Sequence, residues 1–225
     1  MEANLQQQLM TNNRITVIDY GMGNIWSVLS TFRYLGCNPT VCSDPNEISR
    51  SEVLVLPGVG SFHKAMNTLR QTSLDHAILE AVKIRGRKIL GICLGMQLLG
   101  SRGSEDGDTP GLGLIPNPVD RFTSREIGTN KIPHIGFNSV RSSHAHSLFR
   151  GLPEEADFYF VHSYRMLPDG LTGKTAICHY GIDFLAAYEK DNIYATQFHP
   201  EKSQTNGLML LKNFLEQQPI CSKSV

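Results

Sequence analysis

Cys93 sits in the run Gly91-Ile92-Cys93-Leu94-Gly95, with one glycine two residues before it and another two residues after. An apolar stretch climbs to the cysteine and a second apolar stretch leaves it. This is the pattern of a nucleophile elbow with sulfur in place of a serine oxygen, because small flanking residues permit a sharp strand-to-helix turn. A helix starting just after Cys93 would aim free amides and its positive dipole end at the sulfur, which favours thiolate. The Leu94 amide would then help to hold an oxyanion. A thiol nucleophile needs a base, and the base needs an orienting group. Gln197-Phe198-His199-Pro200-Glu201-Lys202-Ser203 supplies both. His199 ends a strand-like run, and Glu201 is close enough to hold one ring nitrogen while the other faces sulfur. Leu56-Pro57-Gly58-Val59-Gly60 ends another such run. Its glycines let backbone amides approach a ligand, which suits the second half of an oxyanion hole at Gly58 and Val59. Each motif also has a plain structural reading. Free cysteine is among the most buried residue types, His199 could bond backbone at a strand end, Glu201 could be a solvated loop charge, and the proline-glycine run could be an ordinary turn.

The elements around these residues have a consistent order. "RITVIDYG" reads as a strand ending at a glycine turn, and "NIWSVLSTFRYLG" as a helix with a glycine stop. "PTVCSD", "EVLVLPGVG" and "RKILGIC" are further strands. "FHKAMNTLRQTSLDHAILEAVKIRG" is long enough for one or two helices, and "LGMQLLGSRG" begins another. This alternation predicts an α/β fold with a central, mostly parallel sheet flanked by helices. The ends of such strands share a crevice where ligands bind. "SEDGDTPGLGLIPNP" reads as a connection without regular structure. After it, "NSVRS", "DFYFVHSYRML", "TAICHYG", "FLAAYEK" and "NIYATQFHP" read as antiparallel strands and hairpins. "NGLMLLKNFLEQQ" closes as an amphipathic helix.

The totals narrow the function class. The chain has 225 residues, 40% of them apolar, which fits one large domain. Residues 14–217 are assigned to that domain, with a mobile polar tail at 1–13 and a short tail at 218–225. Twenty-one basic residues balance twenty-one acidic ones, so there is no electrostatic signature for nucleic acid or an anionic membrane. No apolar run approaches the roughly 20 residues of a membrane span. The first residues lack the basic start and apolar core of a secretory signal. Five cysteines at irregular spacing, without a CxxC pair, argue against a disulfide framework or structural zinc and for a reducing cytosol. Neither a metal nor a cofactor is expected.

Taken together, "DYGMGN" (19–24), "LPGVGSF" (56–62), "GICLGMQLL" (91–99), "TPGLGLIP" (109–116), "PHIGFN" (133–138), "FVHSY" (160–164) and "QFHPEKSQ" (197–204) resemble class I, triad-type glutamine amidotransferases. Within that family they resemble the branch of glutaminase subunits of imidazole glycerol phosphate synthase. The resemblance runs from about Ile15 to Leu215. It implies a flavodoxin-like amidotransferase fold and hydrolysis of glutamine to glutamate and ammonia through a glutamyl thioester. Carried over, Cys93 is the nucleophile, His199 the general acid/base and Glu201 its orienting partner. Gln97, Ser163 and Tyr164 contact glutamine. Gly58 and Val59 supply an oxyanion amide after a peptide reorients. The resemblance also implies a heterodimeric partner, a (β/α)8-barrel synthase of HisF-like type. That partner takes up the ammonia to make imidazole glycerol phosphate and AICAR in histidine biosynthesis. Asn24, Phe137 and Asn138 fall in segments at or near the partner interface, with His134 and Lys202 as weaker candidates.

The branch pattern His-Met-Gly-Trp-Asn reads His134-Ile135-Gly136-Phe137-Asn138 here. Phe137 keeps an aromatic ring but lacks the donor nitrogen. This leaves open a paralogous glutaminase that feeds amidation or amidination of a nucleotide-linked surface sugar. An inactive amidotransferase-like binding module is a third reading, against which all the triad residues stand.

Overall fold

The computed structural model describes residues 14–142 and 147–217. The tails expected at 1–13 and 218–225, and Cys221, lie outside the described residues. Strands β1 (Ile15–Ile18), β2 (Thr40–Cys42), β3 (Val53–Gly58) and β4 (Lys88–Cys93) alternate with helices α1 (Ile25–Tyr34), α2 (Pro45–Arg50), α3 (Phe62–Gln71) and α4 (Leu74–Leu79). Helix α4 runs on into a π-helical turn at Glu80–Ile84. Helix α5 (Leu94–Leu98) follows Cys93 directly, and α6 (Ser124–Ile127) and α7 (Gln204–Glu216) come later.

Two sheets share the remaining strands. Four short ones, β5 (Arg102–Gly103), β6 (Thr109–Pro110), β7 (Val119–Arg121) and β10 (Tyr164–Met166), make a separate sheet in the order β10-β7-β5-β6. The others are β8 (His134–Ser142), β9 (Glu155–His162), β11 (Lys174–His179), β12 (Asp183–Lys190) and β13 (Ile193–Thr196). They complete the nine-stranded main sheet, ordered β2-β1-β3-β4-β13-β12-β11-β8-β9. From β2 to β13 the pairs are parallel, and from β13 to β9 they are antiparallel. The second half therefore departs from expectation at one strand. "NIYAT" closes a hairpin with β12, yet it lies parallel to β4. The hairpin reverses the chain beside β4, so the end of β13 emerges at the same sheet edge as Cys93.

The glycine- and proline-rich connection contains one two-residue strand, β6. The run "DFYFVHSYRML" breaks at Ser163 and feeds both sheets. Helix α2 goes beyond the sequence reading, although Asp44 followed by Pro45 is a good helix start. The Asp44 side chain accepts from the Asn46 amide at 2.7 Å, and Pro45 takes the first helical position.

Two hydrophobic clusters cover the two faces of the parallel sheet. Val53, Val55, Leu90 and Ile92 point to one, while Leu54, Leu56 and Ile89 point to the other, as a two-residue period demands. Helices α1 and α7 cover the first face through Val28, Phe32, Leu210 and Phe214. Helices α3 and α4 cover the second through Phe62, Met66, Leu69, Leu74 and Ile78. Helix α1 stops where Gly36, at φ +83°, donates to the Arg33 carbonyl and Cys37 donates to that of Phe32, a Schellman closure. Buried Lys88, at the start of β4, donates from Nζ to the carbonyls of Phe214 and Gln217, each at 2.8 Å, and so clamps the end of α7. Burial lowers its pKa to about 8. Among the described residues no helix is long and apolar enough to cross a membrane.

Candidate active site

Parallel pairing puts the proposed reacting groups at one sheet edge. Gly58 of β3 is the register partner of Cys93 of β4, and Thr196 of β13 is the partner of Ile92. The Pro57–Gly60 turn, the elbow and the His199 loop are therefore neighbours by topology.

Cys93 has φ 54° and ψ −112°, a backbone region that L residues rarely occupy. The local sequence enforces this turn. A side chain on Gly95 would run into the Leu56 carbonyl oxygen, and one on Gly91 would lie 2.9 Å from the Gly95 backbone. Glycine at both places lets α5 fold back tightly on β3 and β4. Helix α5 is shorter than the sequence suggested, because the chain turns at Gly100 and enters β5. The Leu94 amide lies in the first helical turn, where intrahelical acceptors are absent. The Cys93 thiol lies 3.9 Å from the Val161 carbonyl and 3.8 Å from Gln197 Nε2.

His199 Nδ1 and Glu201 Oε1 are 2.7 Å apart, and both side chains are almost wholly buried. The Ser203 hydroxyl ties the loop down: it donates to the His199 carbonyl at 2.6 Å and accepts from the Tyr159 amide at 3.0 Å. The His199 amide donates to the Tyr159 carbonyl at 2.9 Å. His199 Nε2 is buried and has no partner of ordinary hydrogen-bond geometry. Burial would lower the pKa of this ring, but interaction with Cys93 and with the Glu201 carboxylate outweighs it and raises the value to about 10. The surroundings thus favour a cationic ring held between sulfur and carboxylate.

Cys93 and His199 line a cavity of about 360 Å³ with Leu94, Gln97, Ser163 and Tyr164. Gln97 Nε2 donates to the Tyr164 carbonyl at 3.1 Å and to Gln197 Oε1 at 3.0 Å. Val59 and Gly60 also border the cavity. The Val59 amide is committed elsewhere, donating to the Met22 carbonyl at 3.2 Å. Gly58 is packed so closely that an added Cβ would strike the Tyr20 hydroxyl. Of the expected residues, Cys93, His199, Leu94, Gln97, Ser163, Tyr164 and Val59 line this one cavity, while Glu201 stands behind the His199 ring and Gly58 lies beside Cys93 in the sheet register.

The expected interface residues spread over other elements. Asn24 is exposed beside α1, with its amide 3.0 Å from the Ser27 hydroxyl. Phe137 is 50% exposed and meets Tyr159 edge-on at 5.6 Å, while Lys202 Nζ lies 5.8 Å from the same tyrosine ring. Asn138 directs its amide inward, and His134 is buried.

Three residues at the site escape a reading of the sequence. Gln197 is fully buried and bridges Gln97 and Cys93. Its place just after a strand is the one available signal. His162 lies beside the cavity. Glu105 brings a carboxylate to it from the connection read as irregular, accepting from the Phe62 amide at 2.7 Å. Burial raises the Glu105 pKa, partly offset by that amide and reinforced by Asp106.

A family model for class I glutamine amidotransferases matches residues 16–218. The chain belongs to the class I glutamine amidotransferases. It is an α/β enzyme of that class and resembles HisH proteins. It is 44% identical over 202 residues to imidazole glycerol phosphate synthase subunit HisH 2 of Pseudomonas aeruginosa, covering 90% of this chain and 98% of the relative. It is 46% identical to the HisH subunit of Chlorobaculum tepidum, covering 90% and 99% respectively. Among solved structures, a putative GMP synthase subunit from Thermoplasma acidophilum superposes with a TM-score of 0.66 at 24% identity, covering 90% of this chain and 92% of that one. A crystal structure of a glutamine amidotransferase gives 0.70 at 17%, covering 89% and 97%. These two likenesses speak for the fold alone.

Proposed function

We propose that residues 14–217 form a glutaminase subunit of imidazole glycerol phosphate synthase, working in the cytoplasm. The observation that carries the chemistry is the strained Cys93 elbow sharing a cavity with a buried, carboxylate-held His199.

The Cys93 sulfur attacks the side-chain carboxamide carbon of glutamine. The Leu94 amide receives the developing oxyanion. Cationic His199 gives its proton to the leaving nitrogen, which departs as ammonia, and a glutamyl thioester remains. His199, now neutral, takes a proton from water, which attacks the thioester and releases glutamate. Glu201 keeps the ring oriented throughout. Gln97 and the Ser163–Tyr164 backbone hold the substrate, and the Glu105 carboxylate suits its α-ammonium group. The Val59 amide completes the hole only after it leaves the Met22 carbonyl.

The ammonia goes to a (β/α)8-barrel, HisF-like partner. The names of the relatives support this acceptor, and so does an exposed apolar set at Ile135 (59%), Phe137 (50%) and Val59 (42%). Docking that frees the Val59 amide would couple glutamine hydrolysis to acceptor readiness. Phe137 in place of the branch tryptophan favours a second reading, a glutaminase for amidation of a nucleotide-linked sugar.

The test is glutamate production by the protein alone and with each barrel partner, followed by ammonia-dependent product formation. Stimulation by the histidine-pathway barrel, with imidazole glycerol phosphate as product, is the expected result. Stimulation only by a sugar-modifying partner would move the chain to the second reading, and no turnover with either would refute both.

A further inference from the structure

His134 opens β8, His162 ends β9, and the two are register partners across the antiparallel pair. His134 Nδ1 lies 3.0 Å from His162 Nε2. His162 Nδ1 lies 2.7 Å from the Tyr164 carbonyl, the oxygen that also accepts from Gln97 Nε2. At the other end, Asn138 Nδ2 lies 3.3 Å from His134 Nε2. Four residues along a regular strand span about 13 Å, so this contact needs a bend. Gly136 provides it at φ +125°, where a side chain would be strained although the space is empty.

The proton positions follow from the partners. The Tyr164 carbonyl only accepts, so His162 Nδ1 carries hydrogen. A neutral ring has one N–H, so His162 Nε2 accepts and His134 Nδ1 donates to it. His134 Nε2 must then accept, and Asn138 Nδ2 donates. Asn138 cannot be turned the other way, because its Oδ1 accepts from the Ser139 amide at 2.8 Å and its Nδ2 also serves the His179 carbonyl at 3.1 Å. The two ends of the chain independently demand the same hydrogen placement. A further proton on either ring would set N–H against a donor. The chain is no proton wire, since it ends on a peptide carbonyl at one side and an amide at the other.

We propose that His134 and His162 are positioning residues forming a tautomer lock. Asn138 sets the lock across the Gly136 bend, and the lock holds the Tyr164 carbonyl as the acceptor that orients Gln97 toward glutamine. The consequence for glutamine rests on the glutaminase reading; the lock itself does not. Both N–H groups of Gln97 are used, on Tyr164 and Gln197, which leaves its oxygen for a substrate amide. Burial keeps the pair neutral, moving His134 to about 4 and His162 to about 3. The lock starts on β8, whose outward residues Ile135 and Phe137 are exposed, so a partner seated there presses on the strand that sets it.

The direct test is nitrogen NMR of the full chain labelled at histidine. Both rings should carry hydrogen on Nδ1, and none on Nε2, between pH 6 and 8. Hydrogen on Nε2 of either ring overturns the lock. The kinetic test compares variants. His162→Phe should raise KM for glutamine about tenfold, with kcat within about threefold, as one buried hydrogen bond is lost. His162→Asn, whose amide can stand in for Nδ1–H, should recover part of that loss. Gly136→Ala should raise KM less and release the His134 tautomer. A folded His162→Phe protein with unchanged KM would reduce both histidines to core filling. The nitrogen spectrum needs no turnover, so it judges the lock even if the unaltered protein leaves glutamine intact.

Discussion

The loop after β13 and the β8–β9 pair bury histidine to opposite effect. His199 is pushed up to about 10, whereas His134 and His162 are pushed down to about 4 and 3. Burial acts on all three in the same direction, against charge. The difference lies in the partners. His199 has a carboxylate on one nitrogen and a thiol near the other. The β8–β9 pair has only carbonyl, amide and imidazole partners, which fix hydrogens without supplying charge. Burial alone therefore makes a histidine a structural polar group, and burial beside an anion makes it an acid.

The largest effect should come from the sulfur. Cys93→Ala is expected to lower glutamine hydrolysis by about 10⁴-fold or more while leaving binding of a barrel partner intact, as measured by turnover and co-purification. Retained turnover would remove Cys93 from the chemistry and His199 from its special place in the comparison. Glu201→Gln should convert the first region toward the second. It keeps a hydrogen-bonding side chain but removes the charge, so the His199 pKa should fall well below its native value and kcat should drop about 10²- to 10³-fold. Titration of the ring by NMR checks the first outcome and kinetics the second.

Acid stability separates the regions next. The native pair stays neutral below the ordinary histidine pKa of 6.5, whereas the unfolded chain takes up protons there. Stability should fall as pH drops from about 6.5 toward 4, with a steepest slope near 2.7 kcal/mol per pH unit for two protons. His199 has the opposite sign: its contribution is complete below 6.5 and is lost as pH rises through about 10. Denaturant titrations across pH, with and without His162→Phe, measure the acid limb, which should flatten in the variant. The smallest expected effect concerns another buried basic group, Lys88. Lys88→Met should cost about 1–3 kcal/mol by leaving the α7 carbonyls unpaired, with a normal KM in the folded protein.

The parallel half of the fold is legible in the sequence because its signals are local. β1, β3 and β4 are apolar runs with β-branched residues, each with a glycine at its end or within three residues beyond it, and the elbow and the His199–Glu201 pair are local in sequence. The parallel seat of β13 is not legible, since a hairpin partner and a parallel neighbour look alike from one strand's composition. Glu105 and Gln197 escape because their roles arise from contacts across the chain; Gln97 and Gln197, for example, meet over 100 positions. His134, a weak interface candidate on the strength of its motif, is 2% exposed. The glycine between it and Asn138 bends that motif inward, and spacing alone does not show a bend.

The clamp between Lys88 and α7 also sets a timetable. Its acceptor at Phe214 lies 126 positions downstream. At ribosomal speeds of about 5–20 residues per second, that separation is on the order of ten seconds of synthesis. Until then the strand that carries Cys93 has a charged end without its carbonyls. Nascent chains cut short before α7 should leave this strand more open to proteases than the full chain does, as limited proteolysis would measure.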